Sequence, residues 1–189
     1  MKINKAFLTP NRYSRPQWPM EGHLGLAIHY VGNPGTDAQF NRNYFETCKK
    51  RVSAHFVVDS EKILQCMPLS EEAFHLRYPR KDLPYKDDIV FRYGKIPSKN
   101  LIGIEMCHPG STGRFEGSTL QLAQELCYEL CSEYGIDPLK DIVRHFDVTG
   151  KCCPKWFVNH PDEFLEFQLG VKEYIIKNRI FEHQRKEWL

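Results

Sequence analysis

Leu101-Ile-Gly-Ile-Glu-Met-Cys107 is the stretch on which the fold turns. It is a short, nearly continuous apolar run, the pattern of a strand buried inside a domain. Strand alternation puts Ile102, Ile104 and Met106 on one face and Gly103, Glu105 and Cys107 on the other. Glu105 therefore points away from the apolar ridge, and Gly103 leaves open space beside it. A carboxylate in such a strand is costly to bury unless it is paired or used in chemistry. A glutamate facing water from an edge strand is the alternative.

Upstream, Leu24-Gly-Leu-Ala-Ile-His29 reads as a second buried strand ending in a histidine, with a loop signal at Gly32-Asn-Pro-Gly35. Ala38 to Lys50 fits a helix with Phe40, Tyr44 and Phe45 on one side. Val52-Ser-Ala-His-Phe-Val-Val58 and Lys62-Ile-Leu-Gln-Cys66, joined at Asp59-Ser60, read as a hairpin. Residues 76–100 are charged and carry three prolines, which predicts a long surface loop; loops of that length are usually functional or mobile. Downstream, Ser118 to Tyr134 is the clearest helix, with Leu120, Ala123, Cys127, Leu130 and Tyr134 on one stripe, Ser118 as N-cap and Gly135 as the residue that ends it. Ile142 to His145 is a short strand, and a last helix starts at Pro161 and runs into the charged tail KNRIFEHQRKEWL. One α/β domain accounts for the pattern: an N-terminal arm over 1–22, a main folded unit over 23–170 and a charged C-terminal helix over 171–189.

A chain of 189 residues with 41% hydrophobic and 26% charged residues suits one globular domain with a full core. The formal net charge of +2 argues against a dedicated nucleic-acid binder. No segment approaches the length of a membrane span. The proline-interrupted start lacks the apolar region of a signal peptide, so the expectation is synthesis in the cytoplasm with release by another route. Seven cysteines, an odd number, without that signal make a disulfide framework a poor reading. Cys127 and Cys131 sit four apart on the helical stripe as small core residues.

Chemistry concentrates in Arg144-His-Phe-Asp-Val-Thr-Gly-Lys-Cys-Cys-Pro154. An imidazole and a thiolate are both good zinc ligands, and His145 and Cys153 lie eight residues apart, with a turn at Thr149-Gly150 between them. Spacing alone fits equally well a surface histidine beside a buried thiol. His29 ends a buried strand, where scaffolds hold functional side chains rigidly, although a lone histidine there is more often structural.

Taken together, Ala27-Ile-His-Tyr-Val-Gly-Asn-Pro-Gly35, Val52-Ser-Ala-His-Phe-Val-Val58, Ala73-Phe-His75, Ile102-Gly-Ile-Glu-Met-Cys-His-Pro109 and the His145 to Pro154 segment with Trp156-Phe157 resemble the type-2 N-acetylmuramoyl-L-alanine amidases. That family includes phage endolysins, bacterial autolysins and the animal peptidoglycan-recognition proteins. The segments occur in the family's order over roughly residues 20 to 170, and the His-x-Asp-x-x-x-Lys-x-Cys-Pro pattern is quite specific.

The resemblance implies a central mixed β-sheet flanked by helices and one zinc ion on His29, His145 and Cys153. It implies Lys151 as a catalytic lysine and Glu105 as general base. Some phage members carry a tyrosine where this chain has Ala54, which favours Glu105 for that role. It also implies that His55 and His75 line the substrate groove and that Asp147 fixes the ligand loop. The implied reaction is hydrolysis of the amide between N-acetylmuramic acid and L-alanine in peptidoglycan, by a monomer that neither inserts in membranes nor binds nucleic acid. Tyr30 and Trp156 are open to two readings, core residues or stacking platforms for sugar or peptide. Two rival functions remain: a peptidoglycan-binding module without catalysis, and a structural zinc domain, which needs a fourth ligand such as Cys152 or His160.

Overall fold

The computed structural model describes residues 2–79, 81 and 84–187, with the side chains of 179–187 outside that description. The distal part of the charged tail, and positions 80, 82 and 83 of the expected 76–100 loop, therefore lie outside the described residues. Six strands, β1 (Ile3–Lys5), β2 (Gly25–Tyr30), β3 (Phe56–Val58), β4 (Ile63–Gln65), β5 (Leu101–Met106) and β6 (Ile142–Arg144), form one sheet in the order β1-β4-β3-β5-β2-β6. Only the β3–β4 hairpin is antiparallel; the other four pairings are parallel. The sheet is therefore mixed, as expected. Helices α1 (Ala38–Thr47), α2 (Asp87–Tyr93), α3 (Gly117–Tyr134), α4 (Pro138–Asp141), α5 (His145–Thr149), α6 (Lys155–Asn159) and α7 (Pro161–Glu187) complete the chain. None of the described helices is long and apolar enough to cross a membrane.

The alternation read in β5 runs across the sheet. Leu26, Ile28, Phe56, Val58, Ile102, Ile104 and Met106 face one way and pack with Ala123, Leu126 and Leu130 of α3 and Phe164, Phe167 and Val171 of α7. Burying such side chains stabilises by roughly 1.5–3 kcal/mol each, so this face anchors the domain. The opposite face has two smaller clusters. One gathers Val57, Leu64, Ala38, Phe45 and Leu8. The other gathers Ala27, Leu101 and Val143 with Leu76, Tyr85, Ile89 and Tyr93. Toward the carboxyl ends of β2 and β5 that same face carries His29 and Glu105, adjacent in register.

Four local expectations change. The N-terminal arm contributes β1 and is tied down by a two-point ion pair, Arg15 to Glu71 at 2.8 Å. Residues 76–100 are not all loop: α2 and a 3₁₀ turn at Pro97–Lys99 lie within them. Ile89 and Tyr93, four apart, form the buried stripe of α2, while Asp87 and Asp88 suit its N-terminal dipole. In α1 the inward stripe is Ala38, Asn41 and Phe45, and Phe40 and Tyr44 lie exposed on another. α3 starts one residue before Ser118, with Glu116 as an N-cap that makes no side-chain bond; Gly135 ends it at φ +69°, as read.

Gly103 is fixed by packing. A Cβ there would overlap the ring of His75. Its N–H donates to His55 Nδ1 at 3.0 Å, and His55 Nε2 in turn meets Glu71 O at 3.0 Å. The space beside Glu105 is thus filled by a histidine instead of lying open. Gly103→Ala is expected to destabilise by about 1–3 kcal/mol, the usual cost of overpacking, read as a lower denaturant midpoint with an unchanged slope. A midpoint equal to that of the parent would show that His75 yields freely.

Burial lowers the His55 pKa to about 4, below the ~6.5 of an unfolded chain. Between those values the unfolded chain takes up a proton that the fold refuses. Stability from His55 is therefore complete above about pH 6.5 and drains as pH falls toward 4, by at most about 1.4 kcal/mol per pH unit. Denaturant unfolding across that range should show a shallower loss for His55→Gln than for the parent. Equal slopes would assign the effect to the other buried histidines.

Candidate metal centre

Parallel pairing brings the parts together. β2 sits between β5 and β6, with Ala27 opposite Gly103 on one side and Val143 on the other. His29 is the fifth of six residues in β2, and His145 follows β6 directly as the first residue of α5. Asp147 then clasps the turn. It accepts from the Arg144 N–H at 2.8 Å and pairs with the Arg144 guanidinium at 2.7 Å, which also donates to Phe157 O at 2.9 Å. Gly150, at φ +77°, ends α5. Phe146 N–H to Cys153 O at 2.9 Å and Cys153 N–H to Lys151 O at 2.7 Å fold the following loop back. Cys153 thereby returns to His145.

His29 Nδ1 lies 3.0 Å from His145 Nδ1 and 3.9 Å from Cys153 Sγ. The three donor atoms all fall within 4.8 Å of one another, and all three residues are buried. Tetrahedral zinc with ordinary bond lengths separates two nitrogens by about 3.3 Å and nitrogen from sulfur by about 3.6 Å. The observed separations bracket those values, so the donor set fits a metal ion. Burial lowers the His29 pKa well below normal, and nearby His145 and His75 add to it. His145 falls to about 3 through burial first, then the charges of Lys151 and Arg77. Both rings are therefore neutral, the form a metal needs. Burial pushes the Cys153 thiol up to about 12, with Glu105 adding to the rise and Lys151 opposing it. Such a thiol ionises readily only against a cation.

Behind His29 stands His75. Its Nε2 is 3.0 Å from Leu101 O, and its Nδ1 is 3.0 Å from His29 Nε2. A carbonyl only accepts, so His75 Nε2 carries the hydrogen and Nδ1 is bare. His29 Nε2 must then donate, which leaves the His29 Nδ1 lone pair aimed at His145 and Cys153. Such an indirect contact orients a candidate donor and fixes its tautomer.

Glu105 lies beside His29, and its Oε2 is buried without a hydrogen-bond partner. Burial pushes its pKa up to about 8, against the pull of the Lys151 ammonium. Lys151 is exposed. It rims a cavity of about 540 Å³ that reaches His145 and His75. His75 thus borders the cavity, although both its nitrogens are bonded internally. His55, expected in the groove, is wholly buried with both its nitrogens engaged by backbone, and it is not among the residues that line this cavity. Cys152 is exposed and His160 bonds Trp156 O, so neither joins the donors. Among the described residues no fourth His, Cys, Asp or Glu belongs to the cluster. Trp156 is stacked on His160 at 3.7 Å and lies under Arg114. Tyr30 stacks on His108. Sequence reasoning missed the His75–His29 link and the cavity-lining Arg51 and Arg77, because no spacing rule ties residues that distant.

Residues 22–156 match the family model Amidase_2, N-acetylmuramoyl-L-alanine amidase. The chain is 34% identical over 176 residues to the N-acetylmuramoyl-L-alanine amidase BlyA of Bacillus subtilis (strain 168), and 35% identical over 176 residues to the N-acetylmuramoyl-L-alanine amidase CwlL of Bacillus licheniformis. Each match covers 90% of this chain and 47% of the relative, so the chain spans about half the length of these curated relatives. The solved catalytic domain of XlyA aligns with a TM-score of 0.70 at 26% identity, covering 90% of this chain and 99% of that one. A family match over most of the chain, relatives above 30% identity and a shared fold lead to one conclusion: this chain belongs to the N-acetylmuramoyl-L-alanine amidase family.

Proposed function

We propose that this chain is a zinc-dependent amidase that hydrolyses the bond between N-acetylmuramic acid and L-alanine in bacterial peptidoglycan. One observation carries the reading. Three buried donors converge beside a carboxyl with an unpartnered oxygen, and an open cavity reaches one of them, His145. A structural site would close its fourth position with protein, whereas a catalytic one leaves it for water or substrate.

His29, His145 and Cys153 would hold the zinc ion. When bound, it supplies Lewis-acid chemistry, polarising a carbonyl and acidifying water. Hydrolysis forms a C–O bond from water to the amide carbon and breaks the C–N bond. Glu105 takes the proton that the attacking water loses and returns it to the departing amine nitrogen. Its buried position raises its affinity for that proton. Lys151, at the cavity rim, faces the negative charge that develops on the carbonyl oxygen, an electrostatic role often worth about 3 kcal/mol. His75 keeps the His29 lone pair forward.

A set of variants separates these roles. Cys153→Ser is expected to lose both zinc and release of new N-terminal alanine from purified walls. Glu105→Ala should keep zinc and thermal stability while amine release falls by roughly 10²–10⁴-fold. Full release from Glu105→Ala would remove Glu105 from the mechanism. His75→Leu should weaken zinc affinity by roughly 10–100-fold in a chelator competition. His75→Asn, which keeps an acceptor for His29, should recover most of it. Equal affinities for the parent and His75→Leu would reduce His75 to packing.

A further inference from the structure

The connection between β5 and α3, residues 107–116, touches two separate parts of the donor cluster's scaffold. It is braced internally: His108 Nδ1 donates to Gly110 O at 2.7 Å, and the Gly113 N–H donates to the same oxygen at 3.1 Å. Three of its residues grip α6, the helix that starts directly after Cys153 and Pro154. Ser111 O accepts from Lys155 Nζ at 3.1 Å. The Arg114 guanidinium lies 5.3 Å from the centre of the Trp156 ring, and the Phe115 and Phe157 rings are 5.2 Å apart. Phe157 is buried, and its carbonyl accepts from Arg144 at 2.9 Å, so α6 is fixed from both directions.

The same connection grips Tyr30, the residue after His29. The His108 ring stacks on the Tyr30 ring at 5.2 Å. Gly113, at φ +80°, packs against Tyr30 and Lys155 together: a Cβ there would stand 3.4 Å from Tyr30 Cδ2 and Cε2 and 3.4 Å from Lys155 Cβ. Among the described residues the Tyr30 hydroxyl makes no hydrogen bond, so packing alone holds the ring. The Tyr30 backbone N–H donates to the Cys153 sulfur. Tyr30 is thus bonded covalently to one donor residue, by a hydrogen bond to another, and by its ring to the connection that fixes α6.

A metal centre needs such a joint. Its bond lengths hold within about 0.2 Å, yet His29 and Cys153 lie 124 residues apart in the chain. The Phe146 N–H to Cys153 O bond ties Cys153 to the His145 segment, and a separate device must tie it to β2. Resting on the reading of the three donors as a metal centre, we propose that Tyr30 is a positioning residue: its ring, clamped by His108 and Gly113, holds the His29 and Cys153 segments at the separation a metal ion requires.

The test compares the full-length parent chain with Tyr30→Ala, Tyr30→Phe and Gly113→Ala. Zinc affinity is read by chelator competition. Cobalt(II) is bound in place of zinc, because a thiolate on it gives an ultraviolet charge-transfer band and a tetrahedral site gives strong visible bands. Unfolding of the metal-free chains is measured in parallel. Tyr30→Ala should weaken zinc binding by roughly 10–100-fold, the usual effect of losing a group that orients ligands, and should diminish or shift the cobalt bands. Tyr30→Phe keeps the ring and should match the parent in both. Gly113→Ala, which pushes on Tyr30 and Lys155, should weaken binding in the same direction, and it tests the clamp even if Tyr30→Ala does not fold. Parent affinity and parent cobalt bands in Tyr30→Ala or in Gly113→Ala, with only the unfolding midpoint lowered, would reduce the clamp to ordinary packing and overturn the role. Loss of binding in Tyr30→Phe would move the effect to the hydroxyl and overturn it as well. A parent chain that binds neither metal would instead overturn the metal centre on which the role rests.

Discussion

The carbonyl oxygen of Leu101 sets the proton positions of His75 and, through it, of His29. It accepts from His75 Nε2, which leaves His75 Nδ1 to accept from His29 Nε2, which leaves His29 Nδ1 bare toward His145 and Cys153. Reversing any member of this series leaves a buried donor or acceptor unmatched, at roughly 1–3 kcal/mol per group. That bias is enough to hold one tautomer of His29 overwhelmingly, so His29 presents a lone pair instead of an N–H group toward His145 and Cys153. The arrangement rests on Gly103, because any side chain there would occupy the His75 ring.

This relay stays in place because the two faces of the sheet do different work. The face bearing Ile102, Ile104 and Met106 packs under α3 and α7 and carries the larger core. The strands are therefore held by one face, and the other can bear groups that cost stability. Glu105 is such a group: a buried carboxyl with an unpartnered oxygen contributes nothing favourable to folding by itself. His29, His55 and His75, all buried, belong to the same face or its covering loops. The site is a polar interior supported by an apolar one across a single layer of backbone.

Much of this was legible in the chain. The alternation in Leu101 to Cys107 identified the central strand and put Glu105 opposite the apolar ridge. The donor set became legible only jointly, because His29 and His145 meet through the parallel pairing of β2 with β6, a contact that no local pattern encodes. β1 was missed because Ile-Asn-Lys offers one apolar residue at a sheet edge, too little to register as a strand. α2 was hidden because its buried stripe is only Ile89 and Tyr93, set among charges that read as loop. His55 and His75 were indistinguishable by sequence. The fold separates them, with His55 bound to backbone on both sides and His75 joined to His29 of the donor cluster.

The charge of the cavity sharpens the lesson about composition. A formal net charge of +2 over 189 residues gives no reason to expect an anionic partner. Net charge is a sum, however, and attraction depends on where charges lie. Acidic side chains elsewhere are spent in local pairs, such as Glu71 with Arg15, Asp141 with Arg92 and Asp147 with Arg144. Those pairs are nearly neutral to an approaching ligand. Arg51, Arg77 and Lys151 line the cavity, and among the described residues no carboxylate lines it. Low-dielectric walls such as Phe74 and Leu76 weaken screening there. A nearly neutral chain thus lines a cavity beside its donor cluster with cationic side chains, a local arrangement that the overall charge does not reveal.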